Sequence, residues 1–184
     1  MAISVMTAGA IAVFTMQNVS ATGARRSRMI STATEVNRFW IERVKLEALR
    51  WGPVAFDDPN MTWLNALPDT QTGTSGWFLP VEDPDDPTVT AASDWYGAPM
   101  PIPSGAGTPP ASYCTSLRWT WMSGGTDQVA RLDVRTWWHR PTRTADTIED
   151  CGADQNALTT ALAEVTDFGV IYSSTVVRWQ GLPQ

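Results

Sequence analysis

The residues best suited to chemistry in this sequence are a single histidine and two cysteines. His139 lies in the run Trp-Trp-His-Arg-Pro, and with Cys114 or a serine it could form a nucleophile–base pair. No motif places a third, orienting group beside such a pair, and a lone histidine at the end of a strand is usually a surface residue. The sequence therefore predicts no catalytic residue, and we expect a protein that is not an enzyme.

Metal, cofactor and phosphate sites find no support in the sequence either. The acidic run at residues 81–87 contains four carboxylates, but its spacing matches no EF-hand loop and prolines interrupt it. The sequence contains no glycine-rich phosphate loop, no zinc-ligand cluster and no paired-acid motif. We therefore expect a solvated acidic loop, no metal and no cofactor.

The cysteines are better explained as a structural pair. The sequence contains an even number of cysteines, two, and these residues, Cys114 and Cys151, flank a predicted hairpin. Such pairs become oxidised in exported proteins, whereas thiols in the cytosol stay reduced. We predict that the two form a disulfide bond in an exported protein. Closing that loop would stabilise the fold by about 3–4 kcal/mol in the chain-entropy model.

The charge balance excludes one large class of partner. The 184 residues carry a formal net charge of −6, with 13 basic and 19 acidic side chains. Nucleic-acid binding needs a basic surface that releases counterions from phosphates, so we expect no nucleic-acid partner. Ten tryptophans is a high number for this length, and tryptophan is typical of interfaces because it joins a large apolar body to one N–H donor.

The element that must position the rest of the chain is its first fifty residues. Residues 1–24 contain no charged side chain and predict a hydrophobic helix, whose internal hydrogen bonds would let it lie in a bilayer. A cleaved secretory signal is the alternative, but the charged start is missing and the helical pattern continues without a break. The large apolar side chains of this segment are Ile3, Val5, Met6, Ile11, Val13, Phe14, Met16 and Val19.

The same helix is predicted to continue over residues 25–51 with two faces. Apolar side chains recur there at three- and four-residue steps, the period of a helix that lies on an apolar surface. Phe39, Leu46 and Leu49 make a second, weaker apolar face. The whole helix would be about 75 Å long, too long for an ordinary globular domain. The side chains predicted to pack on the sheet are Ile30, Ala33, Trp40, Ile41, Val44 and Ala48.

The remainder, residues 52–184, predicts one small β domain. Residues 53–110 hold most of the 13 prolines and predict a long Pro- and Gly-rich loop region, which its tryptophans should pack onto the domain. In the sheet region, residues 116–184, two alternating runs around a turn predict an antiparallel hairpin, and residues 170–179 a last strand. Asp154 is the predicted N-cap of an intervening helix. The predicted fold class is α+β, with a long helical spine packed on a small antiparallel sheet.

Together these features resemble the type IV pilins and pseudopilins. In that family a long N-terminal helix spans the membrane and then packs on a small β domain, and residues 1–10 are similar to the continuation of its apolar run. The strand at 130–138, which ends on Trp-Trp, and the run Thr-Val-Val-Arg at 175–178 are similar to the C-terminal sheet of PilV-type minor pilins. The family's opening motif is not in this sequence, so the resemblance rests on the later apolar run, the helical spine and the C-terminal strands, which cover about half of the chain.

The resemblance implies a structural role. The expected protein is a minor subunit of a bacterial type IV pilus that helps to initiate or prime assembly near the tip, with its apolar helix in the filament core. Its partners would be other minor pilins, the major pilin and a tip adhesin. Before assembly it would be a single-pass protein of the bacterial inner membrane with its domain in the periplasm, and extracellular once in the pilus.

Two alternatives remain open at the level of the sequence. A pseudopilin of type II secretion has the same architecture. A membrane-anchored, Trp-rich module that binds a ligand is the other, although an anchor alone needs only about 20 apolar residues, which favours the filament subunit.

The family's leader is expected upstream of Met1. The resemblance requires codons for a short basic leader, a glycine and a Phe-Thr-Leu-Ile-Glu-like run, in frame before this methionine. Reading the upstream DNA tests this expectation. A stop codon in frame just before Met1 would contradict it, because the standard processing would then be impossible.

Overall fold

The computed structural model of the chain describes residues 2–49, 62–67, 72–82, 86, 89–103, 107–123, 129–140, 147–152, 154–164 and 168–178. In this part the structure has two α-helices, five strands and a short 3-10 helix at Leu64–Ala66. The α-helices and strands are α1 (Ala2–Ala48), β1 (Ala92–Ser93), β2 (Pro99–Met100), β3 (Tyr113–Ser123), β4 (Val129–His139), α2 (Gln155–Glu164) and β5 (Phe168–Arg178). The α+β class predicted from the sequence is confirmed.

The five strands form one antiparallel sheet in the order β2-β1-β3-β4-β5. β3 and β4 are the hairpin predicted from the two alternating runs, with a register shift between Trp121 and Ser123. β4 and β5 pair without a break from Val129–Arg178 to His139–Phe168. The long strands β3, β4 and β5 therefore form the body of the sheet, and β4 is its centre.

The outer edge of β3 is closed by the loop region that precedes it. β1 pairs with the start of β3, and residues 73–78 run beside its second half. Phe78 and Leu117 exchange two backbone hydrogen bonds, both of 2.9 Å, and the Trp121 amide donates to the Gly73 carbonyl at 2.9 Å. This edge therefore has its polar backbone groups satisfied by the protein itself, as buried backbone requires.

The described parts of the loop region 53–110 pack on the domain. Trp63, Leu64 and Leu67 are buried in the same core cluster as the centre of the sheet. The Trp63 indole N–H donates to the carbonyl of Val81 at 3.1 Å. Most of the acidic run at residues 81–87 lies outside the described residues.

The second half of α1 lies on one face of the sheet, mainly against β4 and β5. Trp40 is its largest buried side chain and stands edge-on to Trp63, with ring centroids 5.5 Å apart. The Trp119 indole N–H donates to the carbonyl of Trp63 at 3.0 Å, so its polar atom is satisfied inside the core. Aromatic rings of this size dominate the apolar burial of a small core. Other members of the cluster are Val44, Leu117, Leu132, Val134 and Val177.

The opposite face of the sheet is covered at one end by α2 and by a disulfide bond. Asp154 caps α2, because its side-chain oxygen accepts a hydrogen bond from the Asn156 amide at 2.9 Å. Cys114 and Cys151 are bonded, with Cα atoms 5.6 Å apart. Trp137 packs in the cluster around this bond. β4 is therefore buried on both faces in its second half, where alternation alone would predict one covered face.

The first half of α1 extends beyond the sheet. α1 has 47 residues, which corresponds to about 70 Å. Every residue from 11 to 28 is exposed, and Met29 is the first described residue of the helix to be buried. Within the described residues, no helix combines the length and the apolar content needed to cross a lipid bilayer.

The core position of Trp40 makes the first structural prediction. Trp40→Ala should lower the free energy of unfolding by about 3–5 kcal/mol, because it removes a fully buried indole and leaves a cavity. Phe39→Ala is the matched control, since the neighbouring ring is 46% exposed and its loss should cost less than about 1 kcal/mol. Urea denaturation followed by circular dichroism measures both. Equal losses in the two variants would contradict the packing described here.

Candidate assembly surface on the N-terminal helix

The first half of α1 presents large apolar side chains to its surroundings. Met6, Phe14 and Met16 are 79%, 66% and 77% exposed, and Ile11, Val13 and Val19 are also exposed. The side chains of Ile3 and Val5 lie outside the described residues. Exposed apolar surface of this extent marks an interaction site.

These side chains point in all directions around the helix axis. At 100° per residue, steps of two, three, five and eight positions from Ile11 reach every quadrant of the helix. A single flat partner would cover only one side of such a rod. The arrangement fits a surrounding of several apolar neighbours, such as other helices packed in parallel or lipid chains.

Two threonine hydroxyl groups in this stretch are satisfied by the helix itself. The Thr15 hydroxyl donates to the carbonyls of Ile11 and Ala12, at 3.0 and 2.8 Å. The Thr22 hydroxyl donates to the carbonyl of Asn18 at 2.8 Å. Because an unpaired hydroxyl is costly in apolar surroundings, these bonds lower the cost of covering the helix.

Two arginines mark the place where α1 reaches the domain. The Arg25 guanidinium lies 5.2 Å from the Trp95 ring centroid, and the Arg28 guanidinium lies 5.3 Å from that of Tyr96. Both aromatic rings belong to the turn between β1 and β2. Such cation–π contacts hold that turn against the helix. Gly97 in the turn has φ of +83° and approaches Thr32 so closely that a side chain would crowd it.

The packed half of α1 places most of the predicted side chains toward the sheet. Ala33, Trp40 and Val44 are buried, while Ile41 and Ala48 are partly buried against the core. Ile30, expected in the same stripe, is 42% exposed, and its neighbour Met29 is buried instead. The centre of the buried face therefore lies slightly to one side of the stripe that the apolar residues indicate.

Two polar residues also lie on the buried face. Asn37 is buried, and its side-chain amide donates to the carbonyl of Ile171 in β5 at 3.2 Å. Glu47 is also buried, and its carboxylate accepts a hydrogen bond from the Trp63 amide at 3.0 Å. An apolar pattern cannot reveal them, because polar side chains are counted as the solvent face. Val36, also buried, was missed along with them.

On the face of the sheet opposite α1, a buried arginine contacts both α2 and the segment around Trp77. Arg135 in β4 is fully buried, and its guanidinium donates to the Thr159 hydroxyl and the Gln155 side-chain oxygen, each at 2.8 Å. The same group lies 4.3 Å from the Trp77 ring centroid, with the Arg118 guanidinium at 4.6 Å from it. α2 and the segment around Trp77 are therefore both anchored on one strand.

Burial also changes the acidity of this arginine. Desolvation lowers the pKa of Arg135 to about 10, against its ordinary value of 12.5. The group stays charged at neutral pH, since a pKa of 10 is far above 7. Among the described residues no carboxylate forms an ion pair with it, so neutral oxygens and an aromatic ring take the place of a counter-ion.

Cys114 cannot act as the nucleophile considered as a partner for His139. Cys114 is part of the disulfide bond, so no thiolate is available to pair with His139. The His139 imidazole is half-buried and lies 4.4 Å from the Phe168 ring, measured between centroids. In the part of the chain that the structure describes, no group of three or more His, Cys, Asp or Glu could hold a metal ion.

The anchoring role of Arg135 gives a second prediction. Arg135→Lys should lower the free energy of unfolding by about 1–3 kcal/mol, because an ammonium lacks the planar fork that bonds Thr159 and Gln155 together. Arg118→Lys is the control: its side chain is 33% exposed and its partner Asp133 can still pair with an ammonium. Thermal unfolding of both variants measures the difference. A larger loss for Arg118→Lys would overturn the assignment.

No family model, no curated protein and no solved structure matches this chain. The function proposed below therefore rests on the geometry of α1 and the sheet and on the residues that resemble the pilin family.

Proposed function

We propose that this chain is a structural minor subunit of a bacterial type IV pilus, which helps to initiate or prime assembly near the pilus tip. One observation carries the proposal: a single unbroken helix of 47 residues packs on the sheet with its second half and leaves residues 11–28 uncovered. In a filament core, neighbouring helices of the same kind surround each other on all sides. That environment matches the distribution of apolar side chains around α1.

The packing of α1 in the domain core favours a helix that transmits force to the sheet over a helix that only tethers the domain. Trp40 and Val44 belong to the same core cluster as β3, β4 and β5. A tether could be removed without loss of the domain, whereas this helix supplies one wall of the core. Force applied to the first half of α1 therefore reaches the sheet through packed side chains.

The disulfide bond supports export of the domain. Cys114 and Cys151 are paired, and such bonds form and persist in oxidising compartments. In this proposal the chain resides in the bacterial inner membrane with its domain in the periplasm, and becomes extracellular in the pilus. Its partners are other minor pilins, the major pilin and a tip adhesin.

The distribution of tryptophan disfavours the ligand-binding module. A module that binds a ligand through tryptophan needs ring faces open in a groove. Six of the described tryptophans are instead buried in the core: Trp40, Trp63, Trp119, Trp121, Trp137 and Trp138. A type II secretion pseudopilin shares the architecture proposed here, and the genes that neighbour this one separate the two filament systems.

A charge placed in the exposed stretch of α1 tests the proposal. Ala12→Asp should abolish surface filaments and the motility that depends on them, because a carboxylate in an apolar helix core costs about 3 kcal/mol on insertion scales and has no partner there. Electron microscopy of cells that express the variant counts the filaments. A normal number of filaments would contradict the packing of this helix in a filament core.

Two control variants separate this effect from a loss of folding or of chemistry. Ser27→Asp places the same carboxylate further along the same exposed helix, between two arginines, and should be tolerated. His139→Ala should leave filaments and motility near normal, since the proposal assigns no chemistry to the imidazole. If His139→Ala abolished function in a folded, assembled protein, the structural role would be wrong.

A further inference from the structure

A cavity of about 400 Å³ lies between α1 and the ends of β4 and β5. Arg26, Met29 and Ile30 line it from one face of the helix, and Trp138 and Arg140 line it from the end of β4. Its volume falls within the range of small-molecule sites, which is roughly 300–1,000 Å³. The cavity lies where the exposed stretch of α1 meets the domain, since Thr22 and Arg26 line it and belong to residues 11–28. The assembly proposed above assigns it no ligand.

A tryptophan packed on a glycine forms one wall of the cavity. Gly169 in β5 is paired with Trp138 in β4, and a side chain at Gly169 would overlap the indole. The indole can therefore lie directly on the β5 backbone. Tyr113 contacts the same indole, with ring centroids 6.1 Å apart. Because Trp138 is only 6% exposed, it forms a fixed, buried floor of the cavity and not an open ring face.

Two positive charges line the cavity. Arg26 and Arg140 are both exposed, and neither forms an ion pair or hydrogen bond with another described residue. The protein as a whole has a net charge of −6. Two guanidinium groups beside an apolar cavity therefore give this site a local positive charge that differs from the charge of the whole protein. Ile30 lines the same cavity, and 42% of it is exposed.

We propose that this cavity binds a fatty-acid anion of medium chain length. The carboxylate accepts charge-assisted hydrogen bonds from Arg26 and Arg140, for which a guanidinium is well suited. The alkyl chain lies in the cavity against Ile30, Val170 and Ile171, which are exposed or half-buried, and removes their apolar surface from water. At about 30 Å³ for each water-sized group, the volume holds roughly a dozen such groups, which corresponds to a chain of about ten carbons.

Isothermal titration calorimetry of the full chain tests whether both parts of the ligand are needed. Decanoate, titrated below its micelle concentration, should bind at one site per chain. Decanol lacks the charge and should bind at least tenfold more weakly, and acetate lacks the chain and should give no binding heat. Equal affinity for decanol or for acetate would overturn the proposal, as would many weak sites in place of one.

Variants test whether the cavity is the site. Arg26→Ala combined with Arg140→Ala should weaken decanoate binding at least tenfold, whereas Arg38→Ala, an exposed arginine on the same helix outside the cavity, should leave it unchanged. Ile30→Trp fills the cavity from a partly exposed position and should abolish binding while the circular dichroism spectrum is retained. Wild-type affinity in the double variant or in folded Ile30→Trp would overturn the proposal. Because none of these measurements involves filaments, the proposed pilus role stands or falls separately.

Discussion

The packing of α1 on β4 and β5 is the interaction on which the rest of the structure depends. An apolar face of a sheet must be covered, and the second half of α1 covers one face of this sheet. Trp40 and Val44 reach into the centre of that face. Once α1 is fixed there, the direction of its first half is fixed as well, because the helix continues without a break from Ala2 to Ala48. The exposed apolar stretch is thus positioned by the core.

Polar contacts set the exact alignment of the layers that apolar packing brings together. Asn37 binds the backbone of β5, Glu47 binds the amide of Trp63, and Arg135 binds side chains of α2. Apolar surfaces can slide past each other at small cost, whereas a buried polar group that loses its partner costs about 1–3 kcal/mol. Each of the three contacts joins a different pair of segments, and together they favour one arrangement over its neighbours.

Periodicity in the sequence was enough to predict the large elements, and it failed where polar groups are buried. The hairpin, the last strand, α2 with its Asp154 cap and the long helix all follow from regular patterns. Ile30 was placed on the buried face because its spacing from Ala33 and Trp40 fits the apolar stripe. Asn37 and Glu47, which are buried on that face, count as solvent positions in such a pattern because they are polar. Alternation alone would place Arg135 on the outward face of β4. Trp137, two positions on and on the same face, is a signal that this face is covered as well.

The shortest elements were beyond prediction for a different reason. β1 and β2 have two residues each, too few for any period to be visible. The path of residues 73–78 along β3 depends on tertiary contacts made by the rest of the chain. The local conformational propensity of these residues does not reveal those contacts. These parts are determined by tertiary packing, which a single sequence shows only indirectly.

The closed edge of β3 has a consequence for how copies of this protein can meet. An open strand edge offers a row of unpaired amides and carbonyls to any other extended chain, and so invites aggregation. Here β1 and residues 73–78 occupy that row with backbone of the same molecule. Two domains brought close together at high local concentration cannot merge their sheets through this side. Crowding then does not convert the folded domain into a cross-strand aggregate by that route, and the hairpin keeps its own pairing.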